Sequence, residues 1–143
     1  MSTSQGTLVK QGPLVLAVDD DASILRIIEM LLTRYGYTVR MAISGEKALE
    51  LLRTILPNVL ISDVQMPGMS GYDLCQVIKR DKRLQNIPVI FLTGQDAPQD
   101  YKAGHDAGAV MYMVKPFKPE KLLQAVRLVA PVAQAASEPA TRT

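Results

Sequence analysis

The sequence predicts an α/β protein with a doubly wound, five-stranded parallel sheet. Short apolar segments alternate with amphipathic helical patterns along most of the 143-residue chain, which favours helices on both faces of one sheet. The apolar segments are nearly continuous, as is typical of parallel strands buried on both sides. Four of them stop on a polar residue, and open α/β sheets place their sites at the edge where strands reach their carboxyl ends.

Apolar spacing and helix-ending residues define the first two β-α units. A strand over residues 14–19 precedes a helix with the i, i+3, i+4, i+7 spacing. Its apolar positions are Ile24, Ile27, Ile28, Leu31, Leu32 and Tyr35. Gly36 stops this helix. A second strand over 37–42 is followed by Ser44, which can cap a helix, and Pro57 ends that helix. The apolar face of the second helix consists of Ala48, Leu51, Leu52 and Ile55.

The other three units include one element with a weak pattern. Further strands are expected at residues 59–63, 89–92 and 110–114. A loop rich in Gly and Pro follows the third strand and leads to a helix built on Leu74, Val77 and Ile78. The helix near 98–107 is expected to be short or mobile because Gly104 interrupts a thin apolar face. A fifth helix over 120–130 ends before Pro131.

The size and composition of the chain indicate one soluble domain. The chain is 48% hydrophobic and 21% charged, which is ordinary for a globular protein. No apolar stretch approaches the roughly 18 residues of a membrane helix, and the first dozen residues do not resemble a secretory signal. We expect the domain to cover residues 13–130, with a flexible segment at 1–12 and a disordered tail at 131–143.

Net charge and cysteine content indicate which kinds of partner and which cellular compartment are expected. The net charge is +2 and the basic residues are spread along the chain, so direct binding of nucleic acid is not expected. The single Cys75 cannot form an internal disulfide, which fits a reducing compartment, and we expect a cytoplasmic protein. Its position beside an apolar residue of a helix favours a packing role.

Polar residues at the strand ends predict a charged crevice. Asp19 and Asp20 follow the first strand, Asp63 ends the third, Thr93 follows the fourth and Lys115 follows the fifth. Carboxylates brought so close repel by roughly 4 kcal/mol per pair at 4 Å and an effective dielectric near 20. A divalent metal ion would relieve this repulsion.

Four ordered motifs carry a resemblance to a known family. The segments AVDDDAS, ISDVQMPGMSG, FLTG and MYMVKPF resemble the response-regulator receiver domain of two-component signalling, and the similarity covers residues 13–130. The resemblance implies a flavodoxin-like fold with five helices and strand order 2-1-3-4-5, which places strands one and three at the switch point.

The resemblance also implies a phosphorylation site. Asp63 would accept a phosphoryl group from a phosphohistidine of a sensor histidine kinase or a histidine phosphotransfer protein. Asp19, Asp20, Asp63 and the backbone carbonyl of Gln65 would bind Mg²⁺, which prefers oxygen ligands. Lys115 would neutralise charge on the phosphoryl oxygens during transfer. Such a protein promotes its own phosphorylation and dephosphorylation and is not a turnover enzyme on an external substrate.

A switch is implied by two further residues. Thr93 resembles the hydroxyl that bonds a phosphoryl oxygen once Asp63 is modified, and Gly94 after it keeps the space beside the phosphate small. Tyr112 resembles the aromatic residue whose ring moves into the space that the hydroxyl vacates. The altered surface would lie around helix 98–107, the fifth strand and the last helix, and would bind an unknown downstream protein or promote dimer formation.

Structural interpretations of the same residues remain open. The three successive aspartates could only cap the first helix, and for Asp21 we favour that interpretation. Lys115 could be a loop lysine, Thr93 an ordinary strand residue and Tyr112 a packing residue. His105 is expected to be a surface or partly buried imidazole.

Two glutamines stand at positions that tune the phosphate lifetime in this family. Gln65 lies two residues after Asp63, and Gln95 lies two residues after Thr93. Because neither is charged, we expect water access to set the lifetime.

Three other functions compete with the expected one, a single-domain phosphorylation switch without an output domain on this chain. A receiver-fold adaptor that is not phosphorylated would bind its partner constitutively, but such domains usually lose part of the site. A phosphatase with an aspartyl-phosphate intermediate usually has a second acid where Gln65 stands. A flavin or nucleotide carrier is disfavoured because no glycine-rich loop follows the first strand.

Overall fold

The computed structural model describes residues 12–94 and 111–132, which form five strands and four helices. The strands are β1 (Leu14–Val18), β2 (Thr38–Ala42), β3 (Val59–Asp63), β4 (Val89–Gly94) and β5 (Met111–Lys115). The helices are α1 (Ala22–Arg34), α2 (Gly45–Leu52), α3 (Gly71–Arg80) and α4 (Pro119–Val129). The further helix expected near 98–107, and with it the predicted number of five, lies outside the described residues.

All neighbouring strands of the sheet run parallel, in the order β2-β1-β3-β4-β5. This order confirms the one implied by the resemblance. In the sheet register, Val18 of β1 lies beside Ser62 of β3, so the residue that follows each of them reaches the same edge of the sheet.

The apolar core is divided between the two faces of the sheet. One face packs against α2 and α3, with Leu60, Val64 and Phe91 among its buried residues. The other face packs against α1 and α4, with Ile61 and Leu92 among its buried residues. Successive strand residues point to opposite faces, and because both faces are covered, all of β3 and all but the last residue of β4 are buried.

Most element ends lie within a few residues of those predicted, and the differences have local causes. Predicted strand 37–42 begins at Thr38, because the backbone N–H of Tyr37 donates to the carbonyl of Leu32 in α1, 3.0 Å away. Helix α2 ends at Leu52, earlier than its apolar spacing predicted, and the guanidinium of Arg83 donates to the Leu52 carbonyl. Pro119 takes the first position of α4, where its missing N–H is tolerated.

Within residues 12–94 and 111–132, no helix has the length and apolar character needed to cross a membrane.

Candidate functional site

The polar residues predicted to meet at one edge of the sheet do meet there. Asp19 follows β1, Asp63 is the last residue of β3, and Lys115 is the last residue of β5. Asp19 is fully buried and Asp63 is only 5% exposed, whereas Asp20 is exposed. The edge therefore holds two buried carboxyl groups with a third at the solvent boundary.

Three carboxyl groups form a cluster of the size that a metal ion requires. One oxygen from each of Asp19, Asp20 and Asp63 can be chosen so that all three lie within 4.8 Å of one another. These ligands are hard oxygen atoms, two of them shielded from water, and they fit Mg²⁺ or Ca²⁺ better than a softer metal.

Lys115 provides the cation that this arrangement needs. Its ammonium nitrogen donates to Oδ2 of Asp19 at 3.1 Å and lies 3.6 Å from Oδ1 of Asp63. The lysine side chain is about one-fifth exposed, so most of it is shielded from solvent beside the two carboxyl groups.

Burial and mutual repulsion change the protonation of this cluster. Burial raises the pKa of Asp63 to about 6, and the nearby Asp19 charge acts in the same direction. Burial also raises the pKa of Asp19. Burial alone would lower the pKa of Lys115, but its hydrogen bond to Asp19 and the charges of both aspartates outweigh this effect and raise that pKa. The cluster thus carries an excess of negative charge that a divalent cation would relieve.

Backbone contacts hold Asp19 in place. Its N–H donates to the carbonyl of Ala42 in β2, and its Oδ1 accepts a hydrogen bond from the N–H of Asp21. Asp21 is the N-cap of α1, and its carboxylate accepts from the N–H of Ser23. The capping interpretation of Asp21 is confirmed, and the three adjacent aspartates therefore have different surroundings.

The β3–α3 connection fixes the backbone beside Asp63. The N–H of Gly71 donates to the carbonyl of Val64 at 2.9 Å. A Cβ atom at position 71 would collide with the carbonyl oxygen of Asp63, so only glycine allows the start of α3 to approach this closely. Ser70 caps α3 in a reciprocal capping box with Asp73.

Thr93 and Gln65, the other two predicted site residues within the described ranges near the strand ends, have different environments. Thr93 is buried in β4, beside Val114 of β5. Gln65 is exposed, and its backbone hydrogen bond to Asp63 opposes the rise in the pKa of that carboxyl group. Gln95 and His105 lie outside the described residues.

Tyr112 contacts a residue that the sequence did not single out. The hydroxyls of Tyr112 and Tyr72 lie 2.9 Å apart, in hydrogen-bond contact between β5 and α3. Forty positions separate these residues in the chain, and no local spacing signals their contact. Cys75, in the same helix as Tyr72, is fully buried, and burial raises the pKa of its thiol to about 11. The predicted packing role of Cys75 is confirmed.

The parallel sheet, with its acidic cluster and lysine at the carboxyl edge, defines a class of α/β domain with a cation-binding type of site, and comparison with known proteins gives the family. Residues 15–127 match the model of the response regulator receiver domain. The chain belongs to this family, which acts in two-component systems, and the predicted resemblance is confirmed.

Individual relatives support the assignment. The protein named "Probable transcriptional regulator ycf27" of Guillardia theta is 43% identical over 115 residues, or 80% of this chain and 44% of that protein. This chain spans less than half the length of such relatives. Among solved structures, the Vibrio cholerae chemotaxis protein CheY4 is 35% identical with a TM-score of 0.77, covering 82% of this chain and 98% of that one.

A third relative was solved with a metal ion. The receiver domain of the sensor histidine kinase PA1611 from Pseudomonas aeruginosa is 25% identical, with a TM-score of 0.75. The comparison covers 82% of this chain and 97% of that one. Its structure contains a magnesium ion coordinated in the active-site cleft.

Proposed function

We propose that this protein is a phosphorylation-controlled switch in which Asp63 accepts a phosphoryl group from a phosphohistidine. The donor would be a sensor histidine kinase or a histidine phosphotransfer protein. One observation carries the proposal: the Asp63 carboxyl group lies 3.6 Å from the Lys115 ammonium and within one cluster with Asp19 and Asp20.

The transfer requires little chemistry beyond positioning and charge. An Asp63 carboxylate oxygen attacks the phosphorus atom, the P–N bond to the donor imidazole breaks, and its electron pair returns to the imidazole nitrogen. The product is an acyl phosphate on Asp63. Lys115 is placed to neutralise charge on the phosphoryl oxygens while that charge is redistributed.

The donor set fits a magnesium ion. Asp19, Asp20 and Asp63 supply oxygen ligands within one cluster, and we assign the backbone carbonyl of Gln65 as a further ligand. The bound ion supplies positive charge to the phosphoryl oxygens. The buried carboxyl groups, with pKa values raised by burial, agree with a site that is completed by a cation.

Thr93 and Tyr112 would transmit the effect of Asp63 phosphorylation from the site to the protein surface. The Thr93 hydroxyl would bond a phosphoryl oxygen, and the Tyr112 ring would move towards the space left by this hydroxyl. Both residues lie in neighbouring strands, Thr93 near the carboxyl end of β4 and Tyr112 nearer the start of β5. The changed surface would then bind a downstream protein or a second copy of the chain.

Mass measurement tests the proposal directly. The protein is incubated with acetyl phosphate and Mg²⁺ and weighed intact. We expect a gain of one phosphoryl group that requires Mg²⁺ and is abolished in Asp63→Asn. The control variant Glu50→Gln removes an exposed carboxylate on α2 and should still be phosphorylated. A wild-type protein that gains no mass would contradict the proposal and favour the non-phosphorylated adaptor.

A further inference from the structure

Two tyrosine hydroxyls connect α3 to β5 on one face of the sheet. Tyr72, the second residue of α3, and Tyr112, the second residue of β5, share a hydrogen bond of 2.9 Å. Both side chains are partly buried and pack against the core on the α2–α3 face. The hydroxyl group of Tyr112 is therefore held by a residue of α3, while its backbone belongs to β5.

Phe91 packs against the rings of both Tyr72 and Tyr112. Its fully buried ring lies 5.0 Å from the Tyr72 ring in an edge-to-face arrangement and 5.5 Å from the Tyr112 ring. In the sheet register Phe91 and Tyr112 lie side by side. Edge-to-face and tilted contacts of this kind favour one relative orientation of the rings. Tyr112 is thus held both at its ring and at its hydroxyl.

Each end of this aromatic group is attached to the candidate phosphorylation site. Phe91 is two residues before Thr93 in β4, so their side chains share a face of the sheet. Tyr72 directly follows Gly71, whose N–H bonds the carbonyl of Val64, the residue after Asp63. A displacement of the Tyr112 side chain would therefore change the geometry of the hydroxyl pair.

We propose that Tyr72 is a positioning residue whose hydroxyl holds Tyr112 in the arrangement of the unmodified chain and so opposes switching. This inference rests on the proposed function, because it matters only if Tyr112 moves when Asp63 is phosphorylated. Asp63 is unmodified in this structure, and on this proposal the hydrogen bond breaks or lengthens as the ring moves. A contact present in one state alone shifts the equilibrium towards that state.

Binding of beryllofluoride, an analogue of the phosphoryl group on a carboxylate, tests the inference. At saturating Mg²⁺, Tyr72→Phe should lower the beryllofluoride dissociation constant by about two- to tenfold, the range expected when one hydrogen bond is removed from the unliganded state. The affinity for Mg²⁺ alone should not change. Tyr72→Phe should also unfold at a lower urea concentration than the wild type. A purely structural role predicts this loss of stability without tighter beryllofluoride binding.

Two further variants complete the test. Tyr35→Phe removes the hydroxyl of an exposed tyrosine that contacts Arg127 elsewhere, and it should bind beryllofluoride like the wild type. Adding Tyr112→Phe to Tyr72→Phe should tighten binding no further, because the shared bond is already absent. If Tyr72→Phe binds beryllofluoride no more tightly than the wild type, the role of Tyr72 is contradicted but the proposed function is not. A wild-type protein that does not bind beryllofluoride overturns the proposed function as well.

Discussion

The carboxyl group of Asp63 is almost fully buried beside the fully buried carboxyl group of Asp19. A charge in such a place is unfavourable unless a cation lies close by. Lys115 is shared between the two aspartates, with the shorter distance to Asp19, so one cation serves two carboxylates. The residues that would enable phosphorylation therefore destabilise the metal-free fold.

Asp63→Asn should stabilise the protein in EDTA. The pKa of Asp63 is raised from 3.8 to about 6 by folding, so the folded state binds more protons than the unfolded state between these values. Stability is then lost as the pH rises through about 6. Replacing the carboxyl group by an amide removes this penalty and should add up to about 3 kcal/mol at pH 8. Urea unfolding measures the difference.

The gain in unfolding free energy caused by Asp63→Asn should become smaller as the pH is lowered from 8 to 5. Glu50→Gln, which removes an exposed carboxylate, should show no such dependence on pH. An Asp63→Asn protein that is less stable than the wild type at pH 8 would contradict the electrostatic account.

Asp20→Asn should weaken magnesium binding without disturbing the fold, because Asp20 is the exposed member of the cluster. We expect Mg²⁺ to raise the unfolding temperature of the wild type, and Asp20→Asn to need about tenfold more Mg²⁺ for the same shift. Asp21→Asn is the matched control, since it makes the same charge change one residue away and asparagine is an equally good N-cap. Equal responses of the two variants would exclude Asp20 as a ligand.

At the scale of the element, the start of α3 determines how the backbone beside Asp63 is held. Ser70 and Asp73 cap the helix reciprocally, and Gly71 allows its first turn to approach the end of β3. The sequence alone identifies a loop with two glycines before a helix. It does not show which of them is required by a close approach.

Gly71→Ala should destabilise the fold by about 1–3 kcal/mol, because the added methyl group collides with rigid backbone at Asp63. It should also slow phosphorylation, since the end of β3 must shift. Gly45→Ala is the control at the equivalent position of α2. There the added atom meets the flexible side chain of Met69, which can move. Urea unfolding and the rate of mass gain measure both effects, and equal losses in the two variants would contradict the steric explanation.

At the scale of the whole molecule, the sheet separates two apolar cores, each covered by helices. The central strands β1, β3 and β4 each have a strand on both sides, whereas β2 and β5 lie at the edges of the sheet formed by the described residues. All residues of β3 are buried, while those of β5 are partly exposed. The edge that carries Tyr112 and Lys115 is thus less firmly packed than the centre.

Amide hydrogen exchange should reflect this difference in burial between the central strands and β5. We expect β1, β3 and β4 to exchange slowest, and β5 to exchange at least about tenfold faster, because local opening requires fewer buried contacts to be lost there. Mass spectrometry of peptic fragments gives the rates. Protection of β5 equal to that of β3 would contradict the idea that this edge opens more readily than the centre.

Much of the fold was predictable because its signals are local. Continuous apolar runs predicted buried parallel strands, and most polar strand ends predicted the common edge where Asp19, Asp63 and Lys115 meet. The end of α2 was predicted too late, since apolar spacing continues beyond Leu52. The turn there is stabilised by Arg83, which is distant in the sequence.

Apolar periodicity and ordered motifs predicted the sheet, the acidic residues at its edge and the family, because these signals are present in the unfolded chain. Folding sets three further features: Lys115 approaches Asp19 more closely than Asp63, Asp19 is buried while Asp20 is exposed, and Tyr72 bonds Tyr112. These facts depend on distances between side chains from separate elements. Such distances are fixed by packing across the whole sheet, which no local pattern of residues records.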